Sequence, residues 1–168
     1  LAFGDSLTRV KGVSESFSYP SVLAQISGLE VVNAGVSGEL SAAGLRRLPQ
    51  VLESSNPDLV LLLHGGNDIL RNQSKVNLQS NLLSMISLIE KSGAELLMLC
   101  LPEKSLFSSC SSVYTDLAED HGVVLEKGII AKLIKQPSMK SDTVHFNKAG
   151  YRALAEKVHE ELKKEGWL

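Results

Sequence analysis

The sequence predicts an α/β protein in which helices cover both faces of a parallel sheet of roughly five strands. Short, continuously apolar runs bounded by turn residues are typical of strands that are buried on both faces. Between these runs lie longer stretches whose apolar residues repeat at helical spacing. This alternation is typical of βαβ units, so we expect right-handed crossovers and one domain over residues 1–168.

Five segments are predicted to be strands. The first is only the stub LAF at residues 1–3, so we expect this strand to be truncated at its N-terminus. Each of the other four is a continuous apolar run bounded by turn residues. They are 29–35 (LEVVNAG), 58–66 (DLVLLLHGG), 94–100 (AELLMLC) and 122–128 (GVVLEKG).

Four segments are predicted to be helices, and their ends carry the expected signals. Gly93 and Gly166 follow the last turns of two of them, and Asn147 is suited to cap the start of the last one. Pro49 lies inside the first of them and is expected to disturb it. The four helices are predicted over 41–54, 77–93, 111–122 and 147–167.

Composition argues against several classes of protein. The net charge is −2 and the basic residues do not cluster, which disfavours nucleic acid or an anionic membrane as a partner. No apolar run approaches the ~18 residues that a membrane span requires. Cys100 ends an apolar run and is interpreted as a buried thiol, with a bridge to Cys110 as the alternative. The redox compartment therefore stays open.

Polar segments follow the predicted strands at the edge where ligands bind in such sheets. They contain the parts that acyl transfer needs: Ser6 as a nucleophile, His145 as a base and Asp142 to orient the imidazole. Asp142 and His145 are three residues apart, so one short loop can deliver both. The backbone N–H groups of Ser6 and Gly38 and the side-chain amide of Asn67 are candidate donors to an oxyanion.

Four short motifs carry a resemblance to a known family. GDSL near the N-terminus, SGELS, GGND and the DxxH pattern before the last helix resemble the sequence blocks of the SGNH or GDSL hydrolase superfamily. The run VVNAGVSGELSAAGLRRLP is similar to its thioesterase I, arylesterase and lysophospholipase L1 branch. The resemblance implies a flavodoxin-like three-layer α/β/α sandwich that hydrolyses esters or thioesters. It also implies the roles given above for Ser6, Gly38, Asn67, Asp142 and His145.

Two residues depart from the family pattern. Phe146 follows the histidine where proline is usual, and because it keeps its N–H and a free φ, the loop is expected to be less rigid. His64 precedes GGND, where an apolar or acidic residue is usual. Both departures bear on substrate preference and rate. The resemblance further implies a periplasmic or secreted protein if a leader has been removed, and otherwise a cytoplasmic one is expected.

Each site residue also has a purely structural interpretation. Ser6 alone is a good helix cap, Gly38 can serve only a positive φ, and Asn67 can be a turn residue. Asp142 and His145 can form a solvated loop pair. Asp68 is interpreted as structural, since an acid beside an oxyanion opposes its charge, and the remaining histidines are interpreted as outside the catalytic groups. They are His64 as a polar neighbour of the site, His121 as a surface group at a helix end and His159 as a solvated side chain.

The leading hypothesis is a monomeric serine hydrolase that cleaves carboxylic esters or thioesters of short to medium acyl chains. Neither a metal nor a cofactor is expected, because the chain lacks an acidic cluster and Cys-rich spacing. Ile69, Leu70 and Phe107 are predicted to line an acyl site that is open and shallow because the predicted loops are short. A sugar acetyl-esterase is the runner-up. A phosphate- or flavin-binding module is disfavoured because the acid Asp5 would repel phosphate, and a catalytically inactive interaction domain is the third alternative.

Overall fold

The computed structural model describes residues 1–105 and 108–168, and in that part of the chain five strands form one parallel sheet. The strand order is β2-β1-β3-β4-β5, which is the flavodoxin-like order. The predicted fold class is therefore confirmed. The strands are β1 (Ala2–Gly4), β2 (Asn33–Gly35), β3 (Leu59–Leu63), β4 (Glu95–Leu99) and β5 (Val124–Glu126).

Four of the five strands are shorter than predicted, and β2 and β5 each keep three of seven predicted residues. The segment 29–35 contributes only its last three residues, and Leu29 and Val32 are exposed. β2 lies at the edge of the sheet and pairs only with β1, whose three residues limit the ladder to three pairs. In contrast, β3 and β4 lie inside the sheet and are buried beyond their first residues, as their continuous apolar runs predict.

Eight α-helices occur in the described part of the chain. All four predicted helices are present, and Asn147 caps the last of them by accepting the Gly150 N–H at 3.0 Å. Pro49 lies within α3, which continues through it. The helices are α1 (Ser6–Arg9), α2 (Tyr19–Ser27), α3 (Ser41–Ser55), α4 (Gly66–Leu70), α5 (Lys75–Ser92), α6 (Ser112–His121), α7 (Ile129–Ile134) and α8 (Lys148–Lys164).

Two further helices that were not predicted, α2 and α7, contribute to the layer on one face of the sheet. α2 carries local signals, since Ser18 caps its start, Pro20 lies in its first turn and Gly28 follows its end. α2 packs against α8, and α7 contacts α8 as well. On the other face α3 packs against α5, and α5 against α6. The result is a three-layer sandwich with one core between sheet and helices.

The two cysteines form a disulfide, so the interpretation of Cys100 as a buried thiol is wrong. Their Cα atoms lie 5.6 Å apart, within the range that a bridge needs. Cys100 directly follows β4 and Cys110 directly precedes Ser111, the cap of α6. The bridge therefore closes the loop between β4 and α6 at its base.

Within residues 1–105 and 108–168, no helix combines the length and the apolar character needed to cross a bilayer.

Candidate active site

Ser6 stands where β1 passes into a short helix. β1 ends at Gly4, and the Asp5 carboxylate accepts the Leu7 N–H at 3.2 Å, which makes Asp5 the N-cap of α1. The alternative that Ser6 is itself the cap is therefore wrong. As the first residue of α1, Ser6 has an N–H group without an acceptor in the helix. Ser6 lines a cavity at this edge of the sheet.

The three residues predicted as a triad lie in line. Ser6 Oγ is 2.8 Å from His145 Nε2, although the two residues are 139 positions apart in the chain. His145 Nδ1 is 2.8 Å from Asp142 Oδ2 and 3.0 Å from Asp142 Oδ1. A carboxylate can only accept, so Nδ1 carries the proton and donates it. Nε2 is then free to accept the serine hydroxyl proton, which is the tautomer that a base requires.

The Asp142 carboxylate is held by backbone donors as well as by the imidazole. Oδ1 accepts the N–H of Val144 at 2.9 Å and the N–H of His145 at 2.8 Å. Partial burial raises the pKa of Asp142, but these two bonds and the imidazole outweigh it and lower the pKa to about 2. Asp142 therefore stays ionised throughout the neutral range, and the exposure of 44% of its side chain to water favours the same form.

Phe146 anchors the loop that carries His145. Its ring is fully buried and meets the Tyr151 ring edge-on, with 5.6 Å between the ring centroids. Phe146 also forms an antiparallel bridge with Lys140, and the Ser141 N–H donates to the carbonyl of His145 at 3.0 Å. The buried Phe146 ring thus holds the His145 loop in place. A proline is usual at this position in the family pattern, where it would restrict the backbone instead.

The two other predicted oxyanion donors face the same cavity as Ser6 and His145. Gly38 lies in the turn after β2 with a φ of +76°, which residues with a Cβ rarely adopt. Asn67 lies in the first turn of α4. Its amide nitrogen donates to the Glu39 carbonyl at 3.1 Å and, over a longer 3.3 Å, to Asp5 Oδ2. The structure therefore brings the predicted catalytic groups together, since Ser6, Gly38, Asn67 and His145 line one cavity and Asp142 is hydrogen-bonded to His145.

Asp68 supports the fold beside the cavity. Its buried carboxylate accepts the Ser41 N–H at 2.8 Å and the Ser41 hydroxyl at 2.7 Å. Ser41 is the first residue of α3, and the residue before it offers no side-chain cap. Asp68 thus caps α3 from outside that helix, and its structural interpretation is confirmed.

The cavity beside Ser6 has a volume of about 850 Å³. A site of this volume is more than the shallow depression that short loops led us to expect. Ile69 and Leu70 line it as predicted, whereas the predicted residue Phe107 lies outside the described residues. Further apolar walls come from the segments after β4, from α7 and from the loop before His145. Local sequence patterns do not predict these residues, because only the folded chain brings their segments together; they include Leu101, Pro102, Ala131, Ile134 and Val144.

The other histidines take no part in the triad. His64 is fully buried and its Nε2 lies 2.9 Å from Glu39 Oε1, so it is a polar neighbour of the site, as predicted. His121 ends α6 on the surface, also as predicted, while His159 is half-buried rather than solvated. Among residues 1–105 and 108–168, no three His, Cys, Asp or Glu side chains are grouped to hold a metal ion.

A flavodoxin-like sheet with serine, imidazole and carboxylate in line at its carboxyl edge defines a protein of the serine hydrolase class. Residues 2–153 match the GDSL-like lipase/acylhydrolase family, and the chain belongs to that family. Its SGNH or GDSL resemblance is therefore confirmed.

Known relatives agree with this assignment. An arylesterase from Vibrio mimicus is 34% identical over 175 residues, covering 98% of this chain and 88% of that protein. The thioesterase 1/protease 1/lysophospholipase L1 of Escherichia coli (strain K12) is 30% identical over 170 residues, covering 96% of this chain and 82% of its own length. The psychrotrophic esterase EstA from Pseudoalteromonas sp., in a structure inhibited by monoethylphosphonate, matches with a TM-score of 0.86 at 25% identity. That match covers 97% of this chain and 95% of EstA.

Proposed function

We propose that this protein hydrolyses carboxylic esters and thioesters of short to medium acyl chains through a covalent acyl-enzyme. The observation that carries the proposal is the line from Ser6 Oγ through the His145 imidazole to the Asp142 carboxylate, with 2.8 Å at each step. The arylesterase and thioesterase names of its relatives support activity on both oxygen and sulfur esters.

In this mechanism His145 Nε2 takes the proton as Ser6 Oγ attacks the carbonyl carbon. Asp142 stabilises the imidazolium that forms, and its low pKa keeps it ionised while it does so. The imidazolium then gives its proton to the leaving alcohol or thiol, and the acyl group stays on the serine. Water, activated by the same imidazole, hydrolyses the acyl-enzyme.

The oxyanion of the tetrahedral intermediate is held by the N–H groups of Ser6 and Gly38 and by the Asn67 amide. In the free protein the Asn67 amide donates to two acceptors, the Glu39 carbonyl and the Asp5 carboxylate. The contact to Asp5 is the longer one at 3.3 Å, so this hydrogen is the one that turns to the oxyanion. Each well-placed donor lowers the barrier by roughly 3 kcal/mol.

The cavity favours an acyl chain over an acetyl group. Its volume of about 850 Å³ and its apolar walls offer far more burial than the two carbons of an acetyl group can use. Ile69 and Leu70 form one side of it, and Leu101 and Ile134 contribute further walls. We therefore rank acyl esters and thioesters above the acetylated sugars of the runner-up hypothesis.

The mouth of the cavity favours an anionic leaving group. Basic side chains dominate the charged residues that line it, and of the acids there Asp5 is buried and Glu103 is paired with Lys75 at 2.9 Å. A phosphate- or carboxylate-bearing alcohol or thiol would be attracted to such a mouth. The basic residues among the described lining are Lys11, Arg71, Lys104, Lys135 and Lys140.

The test combines a nucleophile variant with a substrate series. Ser6→Ala should abolish turnover, and a fluorophosphonate should form one adduct, located on Ser6 by mass spectrometry. The wild type is then assayed on p-nitrophenyl esters and acyl-CoAs of increasing chain length. A label on another residue, or near wild-type activity of Ser6→Ala, would overturn the triad assignment. Activity on acetyl esters alone would favour the acetyl-esterase, and elution as a dimer on size exclusion would contradict the proposed monomer.

A further inference from the structure

A buried group of polar side chains lies directly behind the loop that carries Gly38. Its centre is Glu39, whose side chain is only 6% exposed. Arg47 Nε donates to Glu39 Oε2 at 2.8 Å, and Arg47 Nη2 donates to Glu39 Oε1 at 2.9 Å. His64 Nε2 lies 2.9 Å from the same Oε1. These three residues, Glu39, Arg47 and His64, form the Glu39 cluster.

The Glu39 cluster joins the ends of three strands. Arg47 Nη2 also donates to the carbonyl of Gly4 at 3.2 Å and to that of Ala34 at 2.8 Å, at the ends of β1 and β2. His64 is the residue that directly follows β3, and its Nδ1 accepts the Gly65 N–H at 2.9 Å. These are the same three strand ends that present Ser6, Gly38 and Asn67 to the substrate.

The hydrogen bonds of the cluster are mutually consistent. Because Nδ1 of His64 accepts from Gly65, the ring proton sits on Nε2 and is donated to Glu39. Burial raises the pKa of Glu39, but the bonds from His64 and Arg47 outweigh it and hold the pKa below its usual range. The cluster therefore contains one anion with both oxygens paired and one cation that is bonded to it through Nε and Nη2. A largely buried carboxylate whose oxygens are all paired favours one arrangement of its partners.

The cluster is also tightly enclosed. A Cβ on Gly44, in the facing turn of α3, would lie 2.5 Å from His64 Nε2 and 3.0 Å from Glu39 Oε1. Only glycine leaves room for the pair at that position. On the other side, the Arg47 guanidinium lies 4.1 Å from the centre of the Phe3 ring. The side chain of Glu39 is thus confined to one place.

The main chain of Glu39 connects the cluster to both oxyanion donors. The Glu39 carbonyl accepts the Asn67 amide at 3.1 Å, and the Glu39 N–H donates to Val36 at 3.3 Å, closing the turn that contains Gly38. We propose that Glu39, Arg47 and His64 are positioning residues, which fix the Gly38 N–H and the Asn67 amide for the transition state. This inference rests on the proposed hydrolase function.

The test replaces the central carboxylate. In Glu39→Gln an NH₂ group occupies one of the two oxygen positions. At Oε2 it faces the Arg47 donor, and at Oε1 it faces the donors of both Arg47 and His64, so at least one hydrogen bond is lost. We expect kcat to fall about 10-fold with KM changed less than about 2-fold, a smaller loss than the ~10²–10³ of a removed donor. The matched control is Glu161→Gln, since Glu161 is also largely buried and paired, with Lys157 at 2.9 Å, but lies in α8 away from the cavity. Its kcat should equal that of the wild type.

A double-mutant cycle separates positioning from general destabilisation. If Glu39 acts through both oxyanion donors, Glu39→Gln should cost clearly less than 10-fold in kcat in an Asn67→Ala background, about 3-fold, because only the Gly38 N–H is left to misplace. Rates are expressed per active site titrated with fluorophosphonate, and melting temperatures are measured for every variant. Arg47→Lys keeps the charge but loses the contacts to the strand ends, so it should also lower kcat at unchanged KM. If Glu39→Gln does not fold, Arg47→Lys is used in its place.

Two outcomes would overturn the inference. One is a full 10-fold effect of Glu39→Gln in the Asn67→Ala background, because independent effects multiply. The other is wild-type kcat in Glu39→Gln and Arg47→Lys at a lowered melting temperature, which would make the cluster a purely structural element. Either result leaves Ser6→Ala inactive, whereas failure of the proposed function leaves Ser6→Ala active, so the two failures are distinguishable.

Discussion

Asp142→Asn tests the tautomer of the proposed base with almost no change in shape. The carboxylate Oδ1 accepts two backbone N–H groups, from Val144 at 2.9 Å and from His145 at 2.8 Å. The carbonyl oxygen of the new asparagine must take this position. Rotating the amide would leave both backbone donors facing an NH₂ group, at a cost of at least about 2 kcal/mol.

The NH₂ group of the asparagine then occupies the Oδ2 position, 2.8 Å from His145 Nδ1. This group donates, and at 2.8 Å it lies nearer to Nδ1 than the carbonyl oxygen does at 3.0 Å, an oxygen that already accepts two backbone N–H groups. The favoured tautomer is therefore the one in which Nδ1 accepts and the ring proton is on Nε2. Nε2 now presents a proton to Ser6 Oγ and cannot act as a base. Loss of the correct tautomer in serine hydrolases lowers kcat about 10⁴-fold, which corresponds to about 5.5 kcal/mol of barrier.

The assay is kcat on a p-nitrophenyl ester at neutral pH, with active sites titrated. The control is Asp120→Asn, which makes the same change at an exposed residue near the end of α6 and should keep wild-type kcat. We expect Asp120→Asn to keep the wild-type melting temperature. Asp142→Asn should melt somewhat lower at neutral pH, because it lacks the stability that the ionised carboxylate contributes, but it should remain folded at the assay temperature. A loss of kcat below about 10-fold in Asp142→Asn would refute the proposed role of the carboxylate, since neither its charge nor the tautomer that it selects would then matter to the rate.

Further predictions follow from the same geometry. Asn67→Ala should lower kcat by roughly 10²–10³ with little change in KM, and a lower melting temperature with intact kcat would instead make Asn67 a turn residue. Gly38→Ala should be severe in both kcat and stability, because φ there is +76°; a wild-type-like variant would contradict this. The folded-state pKa of Asp142, about 2, lies below the usual ~3.9, so its contribution to stability is present above about pH 4 and is lost as the pH falls toward 2. Urea midpoints should therefore fall less for Asp142→Asn than for the wild type across this window. Cys110→Ser opens the bridge to Cys100 across a sequence separation of 10, which should cost about 2–3 kcal/mol and lower the melting temperature by roughly 5–10 °C; an unchanged melting temperature would show that the bridge does not form in solution.

Much of the site was accessible from the sequence because its signals are local. Asp142 and His145 lie three residues apart, and GDS and GGND each end a predicted strand. The rule that parallel strands present their carboxyl ends at one edge was enough to place these motifs together. Even so, the Asp5 cap was missed, because Asp and Ser are equally good caps and only the backbone geometry distinguishes them.

Residues that act through long-range contacts could not be found this way. The sequence predicts His64 as a polar neighbour of the site but does not predict its partner Glu39, which lies 25 positions away in the chain. The same holds for Ile134 and Val144, which reach the cavity only because α7 and the last loop fold back over it. The pairing of Cys100 with Cys110 also stayed open, because a bridge depends on a distance that spacing does not supply.

By itself the sequence determined the fold class, the four amphipathic helices and the identity of the chemical groups, because hydrophobic period and turn chemistry act over a few residues. The tertiary structure decided the strand lengths, the cavity and the Glu39 cluster. β2 ends where its partner β1 ends, and Ser6 meets His145 across 139 positions of chain. Such contacts depend on how sheet and helices pack as layers, so no local pattern in the sequence encodes their distances.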